Sequence, residues 1–188
     1  MGYAVAAEAV RRGHEVTLIT GPVCLTAPPG ASVVRAVTAA DMAQAVHARV
    51  DACDALVMAA AVADWRPAAA SPRKLKKDRM SPVLHLERTA DILATIRSRK
   101  GRRLFVGFAA ETDDVISEAK RKLADKGLDL IVANDVSRPD SGFEVDTNQV
   151  AFIGAGGEIA ELPLLRKDEV AARLLDWIEA RARAVTSV

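Results

Sequence analysis

Ala55-Leu56-Val57-Met58-Ala59-Ala60-Ala61 passes directly into Val62-Ala63-Asp64-Trp65-Arg66-Pro67. An apolar run without polar alternation predicts a strand covered on both faces, the pattern of a parallel sheet rather than of a half-solvated antiparallel one. Small side chains at the strand exit let a flat ligand come close to the backbone. Asp64 follows as a carboxylate able to fix a ribose hydroxyl or a metal. Beyond it, Lys74-Leu75-Lys76-Lys77 offers ammonium groups that can neutralise phosphates. That order of parts suggests a nucleoside triphosphate site. The same stretch also reads as a buried strand ending in a solvated loop.

The flanking segments alternate helix and strand. Residues 1–12 place Ala4, Val5, Glu8, Ala9 and Arg12 at helical spacing, and Gly13 stops the helix. Residues 15–20 and 33–37 read as strands. Thr38 caps a helix over 39–50 whose Met42, Ala43 and Val46 share a face. Residues 62–82, with Pro67, Pro72 and Pro82, form a long polar segment that reads as an active-site flap or as a surface excursion. A short strand is expected over 83–86, and a helix starting at Thr89 or Asp91 and reaching Arg99. Residues 104–109 and 128–133 read as strands around a helix over 113–126 closed by Gly127. Residues 149–153 and 158–162 flank Gly154-Ala155-Gly156-Gly157 as a hairpin, and 167–182 form a terminal amphipathic helix. The sum is a single α/β domain over 1–188: three layers, a Rossmann-like, mostly parallel sheet with helices on both faces and a late antiparallel hairpin. Opening on a helix is unusual for such a fold, so a first strand and its phosphate-binding turn are expected ahead of residue 1.

Composition narrows the function. With 188 residues the chain can bury a real core, and since 50% of residues are hydrophobic but only 4% aromatic, that core rests on Ala, Val, Leu and Ile. A net charge of +1 argues against binding nucleic acid or a membrane surface through bulk charge. The two cysteines, Cys24 and Cys53, make neither a metal-like pair nor a disulfide framework, which fits a reducing cytoplasm. No apolar run approaches the roughly 20 residues that span a bilayer.

Several segments combine chemistry with position. The glycines at 154–157 lie between strands, not before a helix, so they lack the geometry that cradles a dinucleotide. His14, His47 and His85 are scattered without ligand spacing. Gly107-Phe108-Ala109-Ala110-Glu111-Thr112 lies where a strand hands over to a helix. There Phe108 can pack on a base or in the core, Thr112 or Asp113 can cap, and Glu111 can bond a backbone amide or a substrate. Lys122 and Lys126 stand one helical turn apart and can hold a triphosphate tail or simply face solvent. Asp91 can cap a helix, or the amides there can receive an anion. Asn134 and Asp135, ahead of Val136-Ser137, can fix a turn or touch substrate.

Met1-Gly2-Tyr3-Ala4, Gly21-Pro22-Val23, the segment from Ala59 to Asp64, Lys74-Leu75-Lys76-Lys77, Asp91-Ile92-Leu93, the segment from Gly107 to Thr112, the segment from Ala133 to Ser137, and Gly142-Phe143 occur in an order and spacing that resembles the phosphopantothenate–cysteine ligase family. In most bacteria that ligase is the C-terminal half of a bifunctional coenzyme A biosynthesis protein. The resemblance implies a two-step ligation of 4'-phosphopantothenate to L-cysteine through an acyl-cytidylate, with CTP as co-substrate and Mg2+ as its ion. It implies nucleotide contacts at Ala60, Asp64, Lys74, Ala90, Asp91, Ile92, Leu93, Phe108, Lys122 and Lys126. Lys74 would be the catalytic flap lysine, and Asp64 would address the ribose or the metal. Phe108 and the backbone near Ala60 would frame the base. It further implies a homodimer, formed through the late hairpin, and a flavin-dependent decarboxylase normally fused upstream, so no flavin in this chain. The chain departs from the family in three places. The opening strand, the Gly-Gly-Thr phosphate loop and an upstream Asn do not occur in this sequence. Thr89-Ala90 replaces the usual Asn-Pro, and Trp65 a Tyr. Two competing readings share this sheet type: a nicotinamide-dependent oxidoreductase, and a catalytically silent nucleotide-binding or assembly module.

Overall fold

A computed structural model describes residues 1–71, 73, 74, 76, 83–111, 114–135 and 145–186. Its elements run α1 (Gly2–Arg11), β1 (Thr17–Thr20), β2 (Ser32–Arg35), α2 (Ala39–His47), β3 (Ala55–Met58), β4 (Trp65–Pro67), β5 (Leu86–Arg88), α3 (Ile92–Ile96), β6 (Leu104–Glu111), α4 (Val115–Lys126), β7 (Leu130–Asp135), β8 (Thr147–Asn148), β9 (Val150–Gly154), β10 (Ile159–Glu161), β11 (Leu165–Arg166) and α5 (Lys167–Thr186).

Five strands make the main sheet, in the order β10-β9-β7-β6-β3. β3, β6 and β7 are parallel, with Val57 opposite Val106 and Val106 opposite Leu130. β9 and β10 close one side antiparallel, as the hairpin reading expects. Side chains alternate between two cores, as a period of two requires. Phe105, Ala109, Ile131 and Ile153 join α2, α3 and α4. Leu104, Val106, Leu130, Val132 and Phe152 join α1 and α5. β6 and β7 are therefore buried on both faces, which is why their sequences lack alternation.

Local chemistry sets the boundaries. Thr38 and Asp41 form a reciprocal capping box at α2, the Thr38 hydroxyl accepting from Asp41 N–H and the Asp41 carboxylate from Thr38 N–H. Gly127, left-handed at φ 64°, ends α4. α4 starts at Val115 after Asp114, which makes no side-chain cap bond, while Thr112 and Asp113 lie outside the described residues.

The structure departs from the sequence reading in three respects. The strand expected at 83–86 forms instead at β5, where Leu86, Glu87 and Arg88 pair with Pro67, Arg66 and Trp65. Residues 65–67 and 86–88 thus form a two-stranded ribbon, pinned by the Arg66–Glu87 ion pair at 2.7 Å and by Arg88 over the Trp65 ring. Next, β8 and β11 form a small antiparallel pair ahead of α5; strands of two residues leave no periodic signal. Finally, β1 and β2 pair in parallel with each other and stand apart from the main sheet. All four residues of β3 are consequently only half-buried, although its sequence reads as a central strand.

A charged cluster ties α1 to α5. Arg12 donates to Glu8 at 2.7 Å, to Asp176 at 2.8 Å, to Glu179 at 3.2 Å and to the Ala172 carbonyl at 3.0 Å. Hydrogen bonds from Arg11 and Arg12 hold the Glu8 carboxyl at about 2, well below its ordinary 4.5. A depressed carboxyl stabilises the fold fully above the unfolded value near pH 4.5, and that contribution drains away as pH falls toward 2. Arg12→Ala is expected to cost about 2 kcal/mol, because Arg12 is largely covered and is the partner shared by Glu8, Asp176 and Glu179, Glu8 keeping only Arg11. It should also flatten the acid limb of stability between pH 4.5 and 2. Urea titrations at pH 7 and pH 3 check both; equal losses at the two pH values would contradict the assignment.

Candidate functional site

The carboxyl ends of β3 and β6 define the edge where open parallel sheets receive ligands. After Met58, the small residues Ala59, Ala60 and Ala61 carry the chain away from the sheet, with Ala60 and Asp64 exposed. Asp64 does not stand alone. Its carbonyl accepts the Thr89 N–H at 2.9 Å, and the Thr89 hydroxyl donates to the Ala63 carbonyl. This clasp closes the base of the ribbon and brings Ala60 to Asp64 beside Ala90 and Asp91, residues distant in sequence. Thr89 was visible in the sequence as a candidate helix start and as half of a dipeptide; its bridging role depends on the β4–β5 register.

Asp91 ends the ribbon and begins α3. One oxygen accepts the Ala94 N–H at 3.2 Å as an N-cap, and the other lies 3.5 Å from Lys126 Nζ. Of the two roles open to Asp91, the cap is the one it takes. Ile92 and Leu93 are buried against Leu123 and Ile96, so at this position they offer backbone rather than side chains. Lys122 precedes Lys126 by one turn and is half-buried. α3 and α4 together therefore set Asp91, Lys122 and Lys126 on one flank of the sheet.

Two placements bear on the expected contacts. The Phe108 side chain packs with the α1–α5 core, on the opposite face from α3 and α4. Of the two roles open to it, base or core, the side chain takes core packing here. Strand alternation decides this, since Ala109 and not Phe108 faces α4. The large cavity of about 1810 Å³ is walled by Ala60 and its neighbours, and by none of Lys74, Lys122 or Lys126. Lys74 is exposed in the ribbon's outer part, whereas Lys126 is held against Asp91. Of the flap cluster, Leu75 and Lys77 lie outside the described residues.

Among other candidates, Asn134 is buried at the end of β7. Val136, Ser137, Gly142, Phe143 and the side chains of Glu111 and Asp135 lie outside the described residues. Tyr3, which entered the sequence reading only within the Met1-Gly2-Tyr3-Ala4 motif, bonds the Thr20 hydroxyl at 3.0 Å and fixes the end of β1 beside α1. Gly154 to Gly157 form the β9–β10 turn, Gly157 left-handed at φ 90°, with no helix behind them. Among the described residues no group of three or more His, Cys, Asp or Glu side chains is placed to hold a metal ion. No helix there is long and apolar enough to cross a membrane.

Residues 1–182 match the family described as the DNA/pantothenate metabolism flavoprotein C-terminal domain. The chain is 44% identical over 184 residues to the coenzyme A biosynthesis bifunctional protein CoaBC of Bacillus subtilis (strain 168), covering 97% of this chain and 45% of that protein. It is 42% identical over 185 residues to the protein of the same name from Escherichia coli (strain K12), covering 96% and 45%. It thus spans somewhat under half the length of these relatives. Its structure is similar to that of the C-terminal domain of CoaBC, with a TM-score of 0.82 at 39% identity, covering 97% of this chain and 83% of that one.

Proposed function

We propose that this chain, which belongs to the DNA/pantothenate metabolism flavoprotein C-terminal domain family, joins 4'-phosphopantothenate to L-cysteine with CTP as the activating nucleotide. The observation that carries this reading is the clasp at Thr89. It unites the small-residue exit of β3 with Asp91, and through Asp91 with Lys126, on the ligand-facing edge of the sheet. The pantothenate-metabolism and CoaBC relatives supply the substrate class.

The chemistry explains the residue types. A resonance-stabilised carboxylate is a poor acyl electrophile and must be activated. The phosphopantothenate carboxylate attacks the α-phosphorus of CTP; the bond to the β-phosphate oxygen breaks, and pyrophosphate leaves. The cysteine amine then attacks the acyl carbon, loses a proton, and CMP departs with the original C–O bond broken. Charge gathers on phosphate oxygens in the first step and on the acyl oxygen in the second. Ammonium groups held near those oxygens lower both barriers. Lys122 and Lys126 serve the phosphates from α4, and Lys74 comes down on the reacting centre with the ribbon. Asp64 addresses the ribose or the ion. Mg2+ suits such a site because it binds through one or two carboxylates plus substrate phosphates, which a lone Asp64 can provide and an all-protein cage need not. It would supply charge neutralisation to the departing pyrophosphate.

Pyrophosphate release that requires both CTP and phosphopantothenate, followed by cysteine-dependent CMP release, is the expected result. Nucleotide binding without release would instead support the silent module. Lys122→Ala should weaken CTP binding by roughly 1–3 kcal/mol, the worth of a charged hydrogen bond. Calorimetry with CTP, ATP and NAD checks this and the base preference together; unchanged CTP affinity would return Lys122 to a purely structural role.

The same reading assigns a reducing cytoplasm, consistent with Cys24 and Cys53 both being free thiols. It also assigns a homodimer through the late hairpin. β10 is an exposed edge strand with Ile159 41% exposed, a surface that a second copy would cover. Light scattering over a dilution series tests this, and a constant monomer mass would exclude it.

A further inference from the structure

A second cavity, of about 520 Å³, lies at the end of the sheet opposite the candidate site, where the parallel strands begin. Its size is within the roughly 300–1,000 Å³ of small-molecule pockets. The chain entering β6, Asp129 ahead of β7 and the β9–β10 turn line it, together with the last turns of α5. Trp177, Arg181 and Ala184 fall on one face of that helix. Charge is uneven here: Lys100, Arg102, Arg103 and Arg181 stand against two carboxylates, Asp129 and Glu158. Asp129 is engaged by Lys100 and by the Phe105 N–H. Arg103 donates to the carbonyls of Arg99 at 2.9 Å and Asp51 at 2.6 Å. Its Nε is buried without a hydrogen-bond partner among the described residues, and the Asp51 carboxylate it meets at 3.9 Å is shared with Arg99. Glu158 pairs with Arg181, whose guanidinium also lies over the Trp177 ring at 5.2 Å from its centroid. The Glu158 carboxylate rests on the turn, where Gly154 and Gly156 present no side chain; a Cβ on Gly156 would stand 2.6 Å from Glu158 Oε2. The two glycines thus leave a cradle that a carboxylate fills, next to an arginine and an indole.

We propose that this cavity is a second ligand site, which takes an aromatic phosphomonoester, and that the Glu158 carboxylate holds the phosphate's place until the ligand arrives. The Glu158 and Arg181 side chains are 44% and 52% exposed, and ion pairs so open to water hold weakly. A phosphate dianion carries more charge than a carboxylate and offers three acceptor oxygens, so it competes well for the planar fork of Arg181. The surplus of positive charge from Arg102 and Arg103 favours an anion over a neutral ligand. The Asp129–Lys100 pair stays in place, because Asp129 is also bonded to the strand backbone. Beside these cations the lining turns apolar, with Leu104, Ala155 and the Trp177 ring. A flat ring on the ligand would lie along that surface, where an aromatic neighbour prefers offset or edge-on contact. This inference rests on side chains at the amino ends of the strands, away from Asp91, Lys122 and Lys126, and stands independently of the proposed activity.

The test uses phenyl phosphate as probe, with phenol and inorganic phosphate as its two halves. The chain has two tryptophans, so Trp65→Phe leaves Trp177 as the only indole to report binding. Saturable quenching by phenyl phosphate is expected, weaker binding by inorganic phosphate, and none by phenol. In calorimetry, Glu158→Gln should tighten phenyl phosphate by about two- to fivefold, since the competing charge is gone while the shape remains. Arg181→Gln should weaken it by about tenfold or more. Lys122→Ala should leave the affinity for this probe unchanged. Absence of saturable quenching in both the parent and Glu158→Gln would overturn the proposal, as would phenol binding as tightly as phenyl phosphate. Unchanged affinity in Glu158→Gln would remove the stand-in role, and unchanged affinity in Arg181→Gln would remove the site. Loss of binding in Lys122→Ala would place the probe at the nucleotide-facing edge and overturn the assignment to this cavity.

Discussion

Lys74→Gln is expected to bring pyrophosphate release down at least a hundredfold while leaving the melting temperature within a degree or two. Exchanging an ammonium for an amide of similar length keeps the reach and some hydrogen bonding but removes the charge. Where charge develops on phosphate or acyl oxygens, loss of one oriented donor costs about 10²–10³ in kcat. Stability should hold because Lys74 is exposed and contributes no side chain to either core. The ribbon root that carries it is anchored elsewhere, by the β4–β5 register and the Thr89 clasp. Retention of wild-type turnover would remove Lys74 from the mechanism. A fall in turnover matched by a fall in melting temperature would show that the ribbon is structural. Lys74→Arg separates charge from shape, and partial recovery is expected from its retained charge.

The second large effect is on folding. Asp129→Ala is expected to destabilise the domain by about 2–4 kcal/mol, through loss of a charged hydrogen bond and an unpaired buried amide. One Asp129 oxygen accepts the Phe105 N–H at 2.7 Å, and the other holds Lys100 Nζ at 2.7 Å. The Asp129 N–H in turn donates to the Phe105 carbonyl at 2.8 Å. These bonds pin the start of β7 to the start of β6, next to Phe105, one of the largest fully buried side chains of the domain. Lys100 also donates to the Gly127 carbonyl at 3.1 Å, satisfying part of the α4 terminus. Chemical denaturation measures the loss. Asp129→Asn, which keeps an acceptor but not the charge, should recover roughly half of it. A change below about 0.5 kcal/mol, the usual scatter of surface substitutions, would refute the keystone role.

Nothing in the sequence singled out Asp129, since an isolated acidic residue between a helix stop and an apolar run resembles any surface charge. The contrast with Thr38 is instructive. Its cap was legible because donor and acceptor lie within three residues of each other, where chain geometry alone brings them together. Asp129 meets partners 24 and 29 residues away, and Thr89 meets Ala63 at a separation of 26. Such contacts exist only after strands have chosen their neighbours. The nucleotide-facing set divides the same way. Asp64, Asp91 and Lys126 were found from position and resemblance, but the clasp and the Asp91–Lys126 pair required the fold. Phe108 marks the limit, because placing an aromatic ring needs the exact parity of strand register, and a shift by one residue reverses its face.

From sequence alone came the strong local signals: two parallel strands without alternation, a capped α2, a left-handed glycine ending α4, and a glycine turn joining β9 to β10. These follow from hydrogen bonds and side-chain preferences acting over a few residues. Only the tertiary structure decided which strands became neighbours, that Phe108 turned toward α5, that β3 was left half-buried, and that β1 paired with β2 outside the main sheet. Those outcomes arise from burying apolar area between segments far apart in the chain, a quantity that local sequence does not encode.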